Sequence, residues 1–455
     1  QMMRKHASSC LIVLLLLALL LSACTEVSRS GDPTATPESF FPPTVEVTGS
    51  PLLPINPTPT PDLVNPNPVR ITELQYLQED TQLLIMAKLF NSLDDAILRD
   101  IQLEVLALDS FGNRIAQQRT SFRYLFPNET TGLVQEFELH SGLVVNGVEV
   151  RVVDGLIDRT LKYQQPLTVQ NTSAFRVGNN YNVTGWLSNA DPYTYTQVLL
   201  NAVAYNELGQ IVGGGQTIFD FVPEEDQVGF SLLVNSRQGE VVDHVDVSPW
   251  ITSYSASLEG GNWWNAVSSE DWNFAVDQYN QITGGAVLKN ETERVLSETF
   301  IILTVSDENN SVCFANNSYY DVIWPNETVV YAVTPTRLPD SCLGKKVDLV
   351  VVPGEFGLSP VDFNPLLASQ AAFTDQDTVS VSVVNNLNTS ISHARVYVIL
   401  RDSENRIVGG GYETTGLVRS GSAISINVPV SYLGNQEELS IFAFATLPAD
   451  VQFGQ

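Results

Sequence analysis

A motif recurs four times along this 455-residue chain with a period of about 100 residues, and the repeat constrains the fold more than any other feature. Each copy begins with two apolar-alternating segments that end at an asparagine: Leu89-Phe90-Asn91, Leu187-Ser188-Asn189, Leu288-Lys289-Asn290 and Val383-Val384-Asn385. About 18 residues later comes a turn, at Asp109-Ser110-Phe111-Gly112, Asn206-Glu207-Leu208-Gly209, Asp307-Glu308-Asn309-Asn310 and Asp402-Ser403-Glu404-Asn405. Asp or Asn at the first position caps a type I turn. Gly or Asn at the fourth tolerates the left-handed conformation of a bulged hairpin. The segment before each turn alternates: Leu103, Val105 and Ala107, then Leu200, Ala202 and Ala204, then Ile301, Leu303 and Val305, then Val396, Val398 and Leu400. A period of two with one apolar face predicts a half-buried strand.

After each turn a further strand runs to a second corner: Pro127-Asn128-Glu129, Pro223-Glu224-Glu225, Pro325-Asn326-Glu327 and the divergent Arg419-Ser420-Gly421. A Val-rich strand closes each copy, at 148–153, 245–247, 347–352 and 439–445. Six or seven short strands per unit and little helical periodicity predict an all-β chain. The expected architecture is four tandem immunoglobulin-like β-sandwich domains over 69–163, 164–255, 256–356 and 357–455. The pattern resembles the FxLYD-type β-sandwich domains of prokaryotic envelope proteins, with Phe-x-Leu segments at Phe137–Leu139 and Phe230–Leu232. Copies three and four depart by carrying Asn in place of the turn Gly. That resemblance implies an envelope location and a binding or spacer role, and no known chemistry.

The N-terminus carries a different signal. Arg4 and Lys5 precede a continuous apolar run from Leu11 to Leu21. The run is too short to span a bilayer, which takes about 20 residues, and fits a signal-peptide core. It ends in Leu21-Ser22-Ala23-Cys24, which resembles a bacterial lipobox. The resemblance implies cleavage after residue 23, acylation of Cys24 and membrane attachment through the lipid. Residues 24–68 then hold Pro-Thr-Ala-Thr-Pro, Phe-Phe-Pro-Pro-Thr and Asn-Pro-Thr-Pro-Thr-Pro. Proline removes the amide donor and fixes φ, so this stretch reads as a disordered Pro/Thr-rich tether. The expected location is the bacterial cell envelope, with the domains facing the outside or the periplasm.

The formal net charge is −28, from 23 Lys+Arg against 51 Asp+Glu. A surface of that sign repels phosphate backbones, so no nucleic-acid partner is expected. The chain holds four Cys. The lipobox resemblance implies that Cys10 leaves with the signal and that Cys24 is acylated, which leaves Cys313 and Cys342. Both lie in the third copy, and export favours a disulfide between them.

Chemistry-bearing clusters are sparse. His140, His244 and His393 fall in different copies, and none has metal-ligand spacing. No Gly-x-Ser-x-Gly or His-Glu-x-x-His occurs. Ile211-Val212-Gly213-Gly214-Gly215 recurs as Ile407-Val408-Gly409-Gly410-Gly411. It lacks the Lys-Ser/Thr ending of a phosphate loop and reads as bulged strand. The acids at Glu224-Glu225-Asp226, Glu270-Asp271, Asp375 and Asp377 read as solubility charge, with calcium as the alternative. Trp263, Trp264 and Trp272 cluster between copies two and three and form the candidate binding site. The competing explanation is that they pack between adjacent sandwiches or begin the first strand of the third copy. No cofactor, metal or catalytic residue is expected. The sequence therefore points to a non-enzymatic, lipid-anchored protein that binds a protein or glycan. A passive spacer and a polysaccharide hydrolase are the alternatives.

Overall fold

The computed structural model describes residues 68–161, 164–252, 255, 257–259, 265–277, 279–340, 342, 346–357 and 363–448. The signal segment, Cys24, the tether, Trp263 and Trp264 lie outside the described residues.

Alternating apolar residues and turn chemistry produce the expected four antiparallel β-sandwiches. Repeat one holds β1 (Val69–Glu79), β2 (Gln82–Asn91), β3 (Ile97–Leu108), β4 (Arg114–Leu125), β5 (Thr130–Glu138) and β6 (Gly147–Asp158). They form two sheets, β1-β2-β5 and β4-β3-β6, with the core between them. Repeat two follows as β7 (Leu167–Val177), β8 (Asn180–Asn189), β9 (Tyr193–Tyr205), β10 (Ile211–Val222), β11 (Gln227–Ser236), β12 (His244–Trp250) and β13 (Ser257–Glu259). Repeat three comprises β14 (Val267–Val276), β15 (Gln281–Asn290), β16 (Val295–Ser306), β17 (Val312–Ile323), β18 (Thr328–Ala332), β19 (Thr336–Arg337), β20 (Lys346–Val352) and β21 (Glu355–Gly357). Repeat four comprises β22 (Leu366–Asp375), β23 (Thr378–Asn385), β24 (Arg395–Arg401), β25 (Ile407–Thr414), β26 (Ala423–Pro429), β27 (Ser431–Tyr432) and β28 (Ser440–Thr446). The short β13 and β21 pair with β9 and β16, so repeat two runs to Glu259 and repeat three to Gly357, past the 255 and 356 read from sequence.

The recurring asparagine is a buried staple. Asn290 Nδ2 donates to the carbonyls of Arg294 (2.8 Å), Ile323 (3.1 Å) and Trp324 (2.9 Å). Its Oδ1 accepts the Thr292 amide at 3.0 Å. Asn91, Asn189 and Asn385 make the same bridge from the end of the second strand to the next turn and to the far corner. The hairpin turns form as expected. Asp307 Oδ1, for example, accepts the amides of Asn309 and Ser311, both at 2.8 Å, and Asn310 takes φ 61°.

The far corner repeats its conformation and not its proline. The amide of each staple asparagine donates to Glu129, Asp226, Glu327 and Ser422 respectively, which aligns the four corners. The residue just before each of these is left-handed: Asn128, Glu225, Asn326 and Gly421. Copies two and four are therefore offset by one residue from the proline-based alignment. The same register places Phe230 opposite Leu133 and not opposite Phe137, so the two Phe-x-Leu segments are not equivalent positions.

The half-buried expectation holds only for repeat one. In repeats two to four both faces of the central strand are covered: Asn201, Val203 and Tyr205, then Ile302, Thr304 and Ser306, then Tyr397, Ile399 and Arg401 are all buried on the side away from their own core. The cause is sheet-on-sheet stacking between repeats. Leu84, Met86 and Val134 of repeat one pack on Val203, Tyr205 and Ile211 of repeat two. Trp186 Nε1 and Thr184 Oγ1 of repeat two donate to the carbonyls of Asn310 (2.8 Å) and Val312 (2.5 Å) of repeat three. Repeat four lends Tyr397, Ile399 and Ile407 to the core of repeat three. In repeat one the corresponding outer face carries Gln102 and Glu104 instead, with ion pairs Arg119–Glu104 and Arg151–Glu149. At the other end, the outer face of repeat four carries Ser380 hydrogen-bonded to Ser425. Polar outer faces on the terminal units are what a stacked array requires.

The Gly-Gly-Gly strands serve this stacking as well as the bulge read from sequence. A Cβ on Gly215 or Gly411 would collide with the Leu233 or Pro429 carbonyl of the repeat's own fifth strand, while Gly214 and Gly410 face Met86 and Ala332 of the preceding repeat. β10 thus pairs with β11, and β25 with β27, which closes one side of each sandwich. Repeat three closes that side by the Cys313–Cys342 disulfide, across a sequence separation of 29. Its reduction is expected to cost about 3–4 kcal/mol in the chain-entropy model. Urea unfolding with and without dithiothreitol measures it, and coincident curves would remove the disulfide as a structural element.

Candidate functional site

Among the described residues, the histidines, the acids and the tryptophan singled out in the sequence do not converge on one another. Trp272 lies on β14, the first strand of repeat three, and is 40% exposed, with Phe274 at 6.3 Å between ring centroids. Asp271 beside it pairs with Arg401 of repeat four at 2.6 Å, an interface contact. Asp226 Oδ1 accepts the Gln227 amide at 2.8 Å, and Asp375 accepts that of Asp377 at 3.3 Å, so both act as turn acids. His244 stacks on Tyr205 at 4.9 Å and lies 3.0 Å from Asp243. His393 takes φ 61°, the bulge position shared with Asp100, Gln197 and Glu298 in the other repeats.

A different site emerges on repeat one. Its fourth and fifth strands, β4 and β5, are the edges of separate sheets. Neither a Gly-Gly-Gly strand nor a disulfide joins them. Gln118 occupies the place of Gly215 and Gly411 and is exposed on the cleft wall. The resulting cleft, about 590 Å³, runs between β4 and β5 and onto the neighbouring face of repeat two. Its walls carry Gln102, Gln118, Gln135, Gln197 and Gln216. Leu199 and Ile218 supply an apolar strip, with Ile218 59% exposed. Arg119 and Asp220 are the charged lining residues. Arg119 is engaged with Glu104 at 3.3 Å. Burial, and secondly the charge of Glu298, push the Asp220 carboxyl above the usual carboxylate range.

Gln135 is the unusual member. It points to the interior of repeat one at the position that holds Leu232, Val333 and Val428 in the other repeats, all buried and apolar. The residue as a whole is only 4% exposed, and its amide end lines the cleft. Buried carboxamides are ordinarily satisfied, since each leaves two donors and an acceptor to be paired. Two positions along the inward face from Leu133, Thr131 is also polar where the other copies have Val228, Val329 and Ile424. Its hydroxyl accepts the indole N–H of Trp250 at 2.7 Å. The inward face of β5 thus carries two polar groups, one satisfied by repeat two and one directed at the cleft.

Sequence reasoning missed this site because a glutamine is unremarked in a single copy. Aligning the copies by the staple asparagine exposes Gln118 and Gln135 as departures, and that signal is present in the sequence alone.

No family model and no curated protein matches the chain. Among solved structures it is similar to native E. coli α2-macroglobulin, at 10% identity over 82% of this chain and 26% of that one, with a TM-score of 0.11. It is also similar to dimeric latent PorU from Porphyromonas gingivalis, at 11% identity over 83% and 33%, with a TM-score of 0.13. Salmonella α2-macroglobulin reacted with methylamine is a third, at 10% identity over 89% and 29%, with a TM-score of 0.14. The chain spans about a quarter to a third of the length of these structures.

Proposed function

We propose that this chain is a non-enzymatic, lipid-anchored protein of a bacterial cell envelope that presents stacked β-sandwiches for binding an envelope or extracellular protein or glycan. The observation that carries the binding reading is the open side of repeat one, where a largely buried glutamine lines a cleft at a position that is apolar in the other repeats. An amide at a position apolar in three other copies gives the cleft a polar floor that a hydrogen-bonding ligand can use. On this reading Cys24 bears the lipid and residues 25–68 give reach, with exposed Trp272 a further contact surface.

A passive spacer is the second reading, and the interlocked repeat interfaces favour it. Capture from envelope polysaccharide and crosslinked envelope protein by the chain carrying Cys24→Ser separates the two. Saturable capture supports binding, and none at high protein concentration leaves the spacer. The same substitution is expected to abolish palmitate labelling and move the protein from the membrane pellet to the soluble fraction. Retained labelling would remove the anchor.

A further inference from the structure

We infer that the cleft between β4 and β5 is a binding site for a neutral saccharide, an inference that rests on the binding reading above. Five carboxamides line one cleft, and each can donate and accept at once. Vicinal hydroxyls have the same dual character, so an amide pairs with adjacent hydroxyls at two points. Leu199 and Ile218 give the C–H face of a sugar ring an apolar surface. The lining charges suit no anionic ligand: Arg119 is held by Glu104, and Asp220 has the opposite sign.

An extended peptide adding as a strand fits less well, because three of the edge donors are already used. The Gly132 amide donates to Ser248 Oγ at 2.9 Å and that of Val134 to Asn201 Oδ1 at 3.1 Å. On the β4 edge the Arg123 amide donates to the Ile251 carbonyl at 2.7 Å. Repeat two has blunted both edges where strand addition would begin.

The position of Gln135 gives the site its depth. Rim amides alone would make a surface, whereas an interior amide rewards a hydroxyl that enters between the sheets. Among the described residues the equivalent side is joined by strand pairing in repeats two and four and by the disulfide in repeat three, and by neither in repeat one.

The test titrates the full chain carrying Cys24→Ser with cellohexaose, maltohexaose and chitohexaose, and separately with an uncharged twelve-residue Ser/Thr/Val peptide. Isothermal calorimetry is expected to show saturable binding of at least one sugar. Gln135→Leu, which restores the apolar residue of the other repeats, is expected to weaken it tenfold or more. Gln216→Ala, across the cleft on repeat two, should also weaken it and leave the repeat-one interior untouched. Sugar binding unchanged in both variants overturns the cleft as the site while the protein remains a binder. No sugar binding by the parent chain at millimolar concentration, or saturation by the peptide alone, overturns the saccharide assignment. Loss of every ligand, envelope capture included, overturns the binding reading itself.

Discussion

Replacing Asn290 with aspartate is expected to destabilise repeat three at least as much as replacing it with alanine. The side chain is fully buried and its Nδ2 donates to three backbone carbonyls. Alanine removes those donors and strands acceptors in the interior. Each net hydrogen bond contributes about 1 kcal/mol, and each unsatisfied buried group costs about 1–3 kcal/mol. A loss of about 3–5 kcal/mol follows if water reaches some of the carbonyls. Aspartate preserves shape and the Oδ1 that accepts the Thr292 amide, yet it turns the donor into an acceptor facing three carbonyls. Burial of that repulsion compels protonation or rearrangement. Urea denaturation followed by tyrosine and tryptophan fluorescence reads the difference. An aspartate variant as stable as the parent would show that the amide donors do not matter and that the asparagine is retained for its turn geometry alone.

The staple also shows why parts of this fold are legible in sequence. Asp307 acts within a few residues of itself and Asn290 within its own repeat, at spacings the repeat holds fixed, so their chemistry recurs as letters along the chain. The core parity of Leu103, Leu200, Ile301 and Val396 is legible for the same reason. What lies beyond a single repeat is not. Val203, Thr304 and Ile399 are apolar or small on the opposite face, but nothing local says that the covering partner is the preceding sandwich. The corner misleads for a related reason: proline is conspicuous as a letter, while the shared element is a left-handed residue that Asn, Glu or Gly can supply. The candidate site was the least legible. The tryptophan cluster drew the reading because aromatic rings are rare, whereas Gln135 becomes informative only against Leu232, Val333 and Val428 at the same place.

The stacking carries a consequence for cooperativity, and Trp250 is where it is most concentrated. This residue ends β12 of repeat two, yet it is buried in the core of repeat one. Its ring stacks on Phe122 with centroids 4.3 Å apart, and its N–H reaches Thr131. Repeat one therefore lacks a complete core without its neighbour. Trp250→Ala is expected to cost about 3–5 kcal/mol, the range for emptying a large aromatic site. It also leaves the Thr131 hydroxyl unpaired. Because the ring bridges two units, the loss should fall on their coupling as well as on repeat one. In a stacked array total stability is close to the sum of unit and interface contributions. Weakening one interface then splits a shared transition into two. Calorimetry of the parent chain and the variant tests this directly: a low-temperature shoulder should appear, accompanied by faster amide exchange across β4 and β5 than across β16 and β17. Trp250→Phe should recover most of the stability, since it refills the site and forfeits only the hydrogen bond. If the alanine variant instead melts in one unshifted transition, repeat one folds on its own core and the interlocking contributes nothing to its stability.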